Sequence, residues 1–258
     1  MSARAKKQLG QHFLVDENVL GVIGRLAELE PDDVVLEIGP GLGSLTAYLA
    51  DRAGRVHAIE LDRSLEPRLR ETLAGRSNVE LVFGDALQLD LGSLDPPPTK
   101  LVANLPYNVA TPLVVESLDR LPTVERWTVM VQREVADRFF AAPRTKAYGA
   151  VSVLLQLTTE RTGFHPVSPS VFRPRPNVQS AIVAFRRREL PDDYQAIKRV
   201  VGAAFAHRRK QLANSVELAG VATRAEAAAA LAAIGRDVST RAEELAPDEL
   251  AALARALP

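Results

Sequence analysis

A glycine-rich segment suggests a binding site for a ligand at the start of a helix. Glu37-Ile-Gly-Pro-Gly-Leu-Gly43 follows an apolar run and precedes an amphipathic stretch. Glycines there permit a tight turn and close approach of the backbone to a ligand, and the start of a helix offers unpaired N–H groups. The spacing departs from the dinucleotide fingerprint Gly-x-Gly-x-x-Gly, so the segment alone also fits a turn that binds nothing.

Two carboxylates follow the next two apolar runs. Glu60 ends the run Val56-His-Ala-Ile-Glu60, and Asp85 follows Phe83-Gly. Glu60 suits both hydroxyls of a ribose, and Asp85 suits the exocyclic amine of an adenine, although each alone also fits a surface charge or a helix cap. Ligands of open α/β sheets bind at the carboxyl ends of the strands, so the combination predicts a nucleoside cofactor. The glycine segment has no Lys or Arg, so no pyrophosphate is expected.

The segment Lys100-Leu-Val-Ala-Asn-Leu-Pro-Tyr-Asn108 has the chemistry to hold a planar amino group. The amide oxygen of Asn104 and the carbonyl of Leu105 are two acceptors, and Pro106 restricts the conformation between them. Tyr107 offers a flat aromatic face. Two acceptors and a plane suit the N6 amine of adenine; the alternative is a turn that ends a strand and buries a tyrosine.

Composition excludes several classes of protein. Of the 258 residues 47% are hydrophobic and 25% are charged, which is ordinary for a globular protein, and none is cysteine. Disulfides, thiolate metal sites and cysteine nucleophiles are therefore excluded, and a cytoplasmic location is expected. The histidines lack the spacing of metal ligands, so we expect no metal. We also expect no signal peptide and no membrane span, because no apolar run approaches about 20 residues.

Apolar runs alternate with longer amphipathic stretches through the first half of the chain. The predicted strands are Val34–Ile38, Val56–Ile59, Val79–Phe83, Leu101–Ala103 and Thr128–Val131. This repeated alternation predicts an α/β fold with a doubly wound, mostly parallel sheet. Before it, Asp16–Leu29 is predicted as a helix capped by Asp16.

The second half of the chain has a different pattern. Ala147–Leu157 is predicted to be helical, and Thr158–Val167 and Ser180–Arg186 are predicted strands. The linker 168–177 holds three prolines and is expected to lack regular structure. After Pro191 the pattern is helical, with Thr223-x-x-Glu226 and Thr240-x-x-Glu243 as predicted capping boxes. We therefore predict a first domain at 1–189 and a small helical domain at 190–258.

Five motifs occur together in a characteristic order. They are Gly10-Gln-His-Phe-Leu14, Glu37–Gly43, Asn104-Leu-Pro-Tyr107, Phe172-Arg-Pro-Arg-Pro-Asn-Val-Gln-Ser180 and Ala206-His-Arg-Arg-Lys-Gln-Leu212. From about Lys7 to the C-terminus the chain resembles the bacterial small-subunit rRNA adenine dimethyltransferase family. The resemblance implies a seven-stranded, Rossmann-like methyltransferase domain that uses S-adenosylmethionine, with a small all-helical C-terminal domain. It implies N6,N6-dimethylation of two adjacent adenosines near the 3′ end of 16S rRNA, within a 30S assembly intermediate. A monomer is expected.

The resemblance also implies which residues form the site. Cofactor contacts would fall on His12, Leu14, Gly39, Gly41, Glu60, Asp85 and Asn104. The target adenine would be held by Asn104, Leu105, Pro106 and Tyr107, with Phe172 stacked on its other face. His12 departs from the family pattern, in which Asn is usual, so a contact through its side chain or its backbone is left open.

Basic residues cluster late in the chain. Residues 161–188 contain six Arg and no acid. The predicted contacts to rRNA phosphates are Arg173, Arg175, Arg186, Arg187, Arg208, Arg209 and Lys210. The alternative for these residues is a solvated, Arg-rich face.

Two other functions remain open at this point. One is a 23S rRNA adenine N6-methyltransferase that confers antibiotic resistance, which would share the glycine segment and the Asn-x-Pro-aromatic site. The other is a non-catalytic ribosome assembly factor that keeps the same fold.

Overall fold

The computed structural model describes residues 11–258, and its first half is built from strands that alternate with helices. The strands are β1 (Phe13–Leu14), β2 (Val34–Ile38), β3 (Arg55–Glu60), β4 (Val79–Phe83), β5 (Lys100–Asn104), β6 (Arg126–Gln132), β7 (Thr159–Val167), β8 (Phe172–Arg173) and β9 (Ser180–Arg187). The helices are α1 (Glu17–Ala27), α2 (Ser44–Ala50), α3 (Glu66–Thr72), α4 (Ala110–Arg120), α5 (Arg133–Phe139), α6 (Ala150–Thr158), α7 (Tyr194–Ala206), α8 (Leu212–Leu218), α9 (Arg224–Ala233) and α10 (Pro247–Ala256). Lys7 and Gly10, where the family resemblance and its first motif begin, lie outside the described residues.

Seven strands form one sheet in the order β4-β3-β2-β5-β6-β9-β7. Strands β2 to β6 run parallel, and β9 is antiparallel to β6. Strands such as β5 and β6 are buried along most of their length, because crossover helices cover a parallel sheet. The predicted seven-stranded α/β fold is confirmed, and the carboxyl ends of β2, β3, β4 and β5 lie along one edge of the sheet.

The predicted helix after Asp16 is confirmed as α1. The carboxylate of Asp16 accepts the backbone N–H groups of Asn18 and Val19 at 2.8 and 3.3 Å, which caps the helix. Ile23 and Ala27 from its apolar face are buried in the main core. This packing fixes the segment that leads out of β1.

The prediction that residues 168–177 lack regular structure is wrong in part. Phe172 and Arg173 form β8, which pairs with β1 in an antiparallel ribbon. Leu14 and Phe172 are opposite each other in this ribbon and both belong to the main core. Burial of these two apolar side chains stabilises the pairing despite the neighbouring prolines.

The chain divides into two compact units that differ from the predicted domains. Within the described residues, one unit is 11–136 with 161–187, and the other is 137–160 with 188–258. Residues 137–160 group with the helical unit because α6 packs against α7 and α10 there, and because the Tyr148 hydroxyl donates to the Leu245 carbonyl at 2.8 Å. The roles predicted for the two domains stay predictions.

One predicted capping box is confirmed and the other is wrong. Thr223 and Glu226 bond reciprocally at the start of α9. Thr240 does not cap a helix: the backbone N–H of Arg241 donates to Glu244 instead, and the next α-helix begins only at Pro247. Proline lacks an N–H to satisfy, so it is readily accommodated at the first helical position.

Candidate functional site

The glycine segment connects β2 to α2 with a backbone that only glycine adopts easily. Gly39, Gly41 and Gly43 have φ of +77°, +60° and +86°. A Cβ at Gly41 would come within 2.9 Å of the Phe13 ring, so a side chain is excluded by contact as well as by conformation. The backbone of this segment, without side chains at its glycines, therefore lines the pocket directly.

The two predicted acids, Glu60 and Asp85, line the pocket and accept hydrogen bonds from nearby backbone N–H groups. The oxygens of Glu60 accept the N–H groups of Gly41 at 3.0 Å and Asp62 at 2.8 Å. Asp85 lines the pocket and accepts the N–H of Leu87 at 2.9 Å through Oδ1. Burial raises the pKa of Glu60, and its backbone hydrogen bonds oppose that rise.

Glu37 is a further acid in this region that sequence reasoning did not single out. Its side chain is 1% exposed, lines the same pocket and has one oxygen, Oε2, with no hydrogen-bond partner within the described residues. Burial raises the pKa of Glu37 to about 8. A single carboxyl in the otherwise apolar run Val34–Ile38 was the signal that could have identified it.

Asn104 lies at the carboxyl end of β5 with its amide orientation defined by a neighbour. Its Nδ2–H donates to the carbonyl of His12 at 3.2 Å, so its Oδ1 is left as an acceptor. The N–H of Leu105 donates to the carbonyl of Met130 at 3.0 Å, which continues the pairing of β5 with β6. The arrangement places an amide oxygen and the following peptide at one wall of the pocket.

Tyr107 is held from two sides. Its hydroxyl is 2.6 Å from the hydroxyl of Ser180, and its ring lies against His12 with ring centroids 5.4 Å apart. The Nδ1–H of His12 in turn donates to the carbonyl of Pro174 at 2.7 Å. His12 therefore makes contacts through both its side chain and its backbone, and it covers one face of Tyr107.

Nearly all of the predicted cofactor and adenine residues line this one pocket. They are His12, Leu14, Gly39, Gly41, Glu60, Asp85, Asn104, Leu105, Pro106 and Tyr107. Sequence reasoning therefore identified residues that the fold brings together from five separate segments. Their roles toward a cofactor or a base stay predictions.

Phe172 is the exception, and its prediction is wrong. Its side chain is fully buried in the main core, although the residue is part of the β1–β8 ribbon. A fully buried ring has no face left for a base. The aromatic ring of Phe172 therefore stabilises the β1–β8 ribbon by its burial and is not available for stacking.

Arg187 is one of the predicted RNA contacts that make hydrogen bonds within the protein. The guanidinium of Arg187 donates to the carbonyls of Leu118, Leu121 and Val124 at 2.9, 2.8 and 2.6 Å, close to the C-terminal end of α4. Carbonyls at the end of a helix lack backbone partners, and the guanidinium supplies the donors. The prediction that Arg187 contacts phosphate is therefore corrected to an anchoring role.

Arg208 has a similar role in the helical unit. Its guanidinium donates to the carbonyls of Lys146 and Tyr148, both at 2.7 Å, and its Nε is 3.4 Å from Glu243. Arg208 is nevertheless exposed, so its predicted RNA contact stays a prediction. Arg173, Arg175, Arg186, Arg209 and Lys210 are exposed as well, and Arg173 also donates to the carbonyls of Ser170 and Phe172 at 3.1 and 2.9 Å.

The lining of the pocket fits the cationic nucleoside cofactor expected from the sequence. Three carboxyl groups, those of Glu37, Glu60 and Asp85, lie in the wall, and the described lining residues include no Lys or Arg. Oε2 of Glu37 is buried and has no hydrogen-bond partner among residues 11–258. Such an acidic lining is complementary to a sulfonium with a ribose and an adenine, and it would repel a pyrophosphate.

Residues 11–258 contain neither a candidate metal site nor a candidate membrane-spanning helix. No group of three or more His, Asp or Glu is arranged to hold a metal ion in this part of the chain. None of its helices combines the length and the apolar character that crossing a membrane requires.

Comparison with known proteins identifies close relatives over nearly the whole chain. A family model described as ribosomal RNA adenine dimethylase matches residues 2–254. Ribosomal RNA small subunit methyltransferase A of Rubrobacter xylanophilus is 51% identical over 253 residues, which cover 98% of this chain and 95% of the relative. The protein of the same name from Streptomyces coelicolor is 45% identical over 265 residues, which cover 98% of this chain and 91% of the relative.

Two solved structures share the fold. A dimethyladenosine transferase from Plasmodium falciparum superposes with a TM-score of 0.79 at 23% identity, covering 94% of this chain and 96% of that one. The 23S rRNA methyltransferase ErmE superposes with a TM-score of 0.67 at 32% identity, covering 95% of this chain and 99% of that one.

Proposed function

The chain belongs to the ribosomal RNA adenine dimethylase family, and from that premise we propose that it methylates 16S rRNA. The reaction transfers methyl groups from S-adenosylmethionine to N6 of two adjacent adenosines near the 3′ end, which become N6,N6-dimethyladenosines. The observation that carries the proposal is the Asn104 side chain. Its Nδ2 is bound to His12, and its Oδ1 remains as an acceptor in a pocket lined by Glu60, Asp85 and the glycine segment.

The residues of the chain act chiefly by positioning the target amine. S-adenosylmethionine, when bound, supplies a methyl group already activated by its sulfonium. N6 of adenine is a poor nucleophile because its lone pair is delocalised into the ring. Acceptance of its N–H groups by Asn104 Oδ1 and the Leu105 carbonyl favours a more tetrahedral nitrogen, whose lone pair then points at the methyl carbon. Orientation and preorganised dipoles supply the catalysis. The methylated nitrogen is cationic and strongly acidic, so it loses a proton to water after the transfer and no general base is needed.

Separate residues hold the cofactor and the base. Glu60 would accept the ribose hydroxyls and Asp85 the adenine amine of the cofactor, while Glu37 adds a buried carboxyl whose raised pKa of about 8 keeps it protonated at neutral pH. The target adenosine must leave its stack to enter the pocket. Because His12 covers one face of Tyr107, the base would stack on the other face, a contact worth about 1–3 kcal/mol.

Exposed basic residues in both units would contact the phosphates of the RNA. Arg173 and Arg175 flank Pro174 on the loop beside His12, and Arg186 follows on β9. Arg209 and Lys210 are exposed on the helical unit. Contacts of this kind fix the register of the RNA without reading its sequence, and they weaken as salt rises. We propose that they act on a 30S assembly intermediate in the cytoplasm, with the protein as a monomer.

The structural similarity to ErmE supports one alternative, in which the protein methylates 23S rRNA. The small-subunit relatives are considerably closer in sequence than ErmE and cover the chain as fully. This difference favours 16S rRNA over 23S rRNA. The non-catalytic alternative is disfavoured because Asn104, Tyr107, Glu60 and Asp85 all line one pocket.

Methylation of purified ribosomal subunits tests the proposal. Small subunits whose rRNA lacks dimethyladenosine, and large subunits in parallel, are incubated with the protein and labelled S-adenosylmethionine. The modified nucleotides are then mapped by mass spectrometry. We expect two adjacent dimethyladenosines in 16S rRNA with the wild type and none with Asn104→Ala, which should still bind S-adenosylhomocysteine. Label confined to 23S rRNA would support the resistance enzyme, and absence of any transfer would support the assembly factor.

A further inference from the structure

His12 connects the pocket to the loop that carries Arg173 and Arg175. Its Nδ1 lies 2.7 Å from the carbonyl oxygen of Pro174, and a carbonyl only accepts, so Nδ1 carries the proton. The antiparallel pairing of Phe13 with Arg173 is the adjacent step of the same ribbon. The ring of His12 therefore ties residue 12 to the loop that is exposed beside the pocket.

The backbone of the same residue orients the Asn104 side chain. An amide can be turned by half a rotation, which exchanges Oδ1 with Nδ2, and only Nδ2 is a donor. Nδ2 lies 3.2 Å from the His12 carbonyl, so the bond selects the orientation that leaves Oδ1 as the acceptor. The reverse orientation would bring two oxygens together and would present an N–H donor to the N–H groups of the target amine.

Resting on the proposed function, we infer that His12 is a positioning residue for methyl transfer. The hydrogen bond from its ring to Pro174 holds the carbonyl that orients Asn104, and its ring lies against Tyr107. The two parts of the residue thereby link the loop that meets the RNA to the amide that meets the target amine. Binding of RNA at the loop and the correct orientation of the amide are coupled through His12.

Two substitutions at this position separate the hydrogen bond from the ring contact. His12→Asn places a donor the same number of bonds from Cα as Nδ1, so the bond to Pro174 can form without a ring. His12→Phe keeps a ring against Tyr107 and has no donor. His165→Phe is the matched control, because His165 is exposed on β7.

The kinetic expectation is a loss of kcat that follows the hydrogen bond. His12→Phe should lower kcat by about 10- to 100-fold, because a small displacement of a catalytic group is costly. Its KM for RNA should change much less. His12→Asn should recover most of the wild-type kcat, and His165→Phe should match the wild type. Binding of S-adenosylhomocysteine and the thermal midpoint, measured for all variants, show that each one folds and keeps the cofactor site.

The side-chain amide of Asn104 provides a readout that needs no turnover. Its Nδ2 proton resonances are assigned by their loss in Asn104→Asp. We expect them to be protected from solvent exchange in the wild type and His12→Asn, and to lose that protection in His12→Phe.

Three results would overturn the inference. Equal kcat in the wild type and His12→Phe is one, and equal protection of the Asn104 amide is another. The third is a His12→Asn protein as impaired as His12→Phe, because restoring the donor to Pro174 would then not restore methyl transfer. A wild type that transfers no methyl would instead refute the proposed function, and the Asn104 resonances would still decide the inference.

Discussion

Replacing Glu37 by glutamine should remove a pH-dependent loss of stability. Burial raises the pKa of the Glu37 carboxyl from 4.5 to about 8, and repulsion from Glu60 adds to the rise. Between these two values the folded state keeps a proton that the unfolded state has lost. The free energy of unfolding therefore falls as pH rises through this window. Glutamine cannot ionise, so the variant lacks this contribution.

The size of the effect follows from the shift in pKa. One pKa unit corresponds to about 1.4 kcal/mol, so the stability of Glu37→Gln relative to the wild type should increase by roughly 2.5 kcal/mol from about pH 5.5 to about pH 7.5. Burying the glutamine amide costs the same free energy at both pH values, so this cost cancels when the two differences in stability are subtracted. Urea unfolding at each pH, followed by the fluorescence of Trp127, measures the difference. Trp127 is the one tryptophan of the chain and is fully buried in the same unit as Glu37.

Glu226→Gln, followed by circular dichroism, is the control for this experiment. The hydrogen bonds from Thr223 lower the pKa of Glu226, so this carboxyl is ionised in both the folded and the unfolded state above about pH 5.5. Its stability relative to the wild type should stay level over the window. A level response for Glu37→Gln as well would refute the reasoning, because the buried carboxyl would then titrate in the folded protein as it does in the unfolded chain.

Three further predictions concern the pocket and the basic residues. Glu60→Ala should weaken S-adenosylhomocysteine binding by at least about tenfold in calorimetry, because hydrogen bonds to a charged group are worth about 1.5–3 kcal/mol each; an unchanged Kd would remove its ribose role. Arg187→Ala should lower the free energy of unfolding by about 2–4 kcal/mol, because three carbonyls lose their donor. Arg209→Ala should leave the free energy of unfolding unchanged. It should instead reduce the slope of log K for RNA binding against log salt concentration by about one. The reverse pattern would place Arg187 at the RNA. Phe172→Ala should destabilise by about 3–5 kcal/mol in urea unfolding, and a fully stable variant with weakened RNA binding would restore its stacking role.

The sequence by itself determined the order of the elements and the membership of the pocket. Apolar runs of strand length, separated by amphipathic stretches, specify a parallel sheet because only buried strands tolerate such runs. The carboxyl ends of parallel strands meet at one edge, so Gly39, Glu60, Asp85 and Asn104 could be assigned to one site from their positions after each run. That inference needs only local patterns and the geometry of a parallel sheet.

The tertiary structure decided what each side chain near the site contacts. Phe172 has the residue type of a stacking platform, but it is buried in the ribbon opposite Leu14. Arg187 has the residue type of a phosphate contact, but it binds carbonyls more than sixty residues away along the chain. The orientation of Asn104 likewise depends on His12, 92 residues earlier. Burial and hydrogen bonding are properties of such distant neighbours. Residue type and local spacing do not contain them, so only the folded chain determines which polar groups remain available for chemistry.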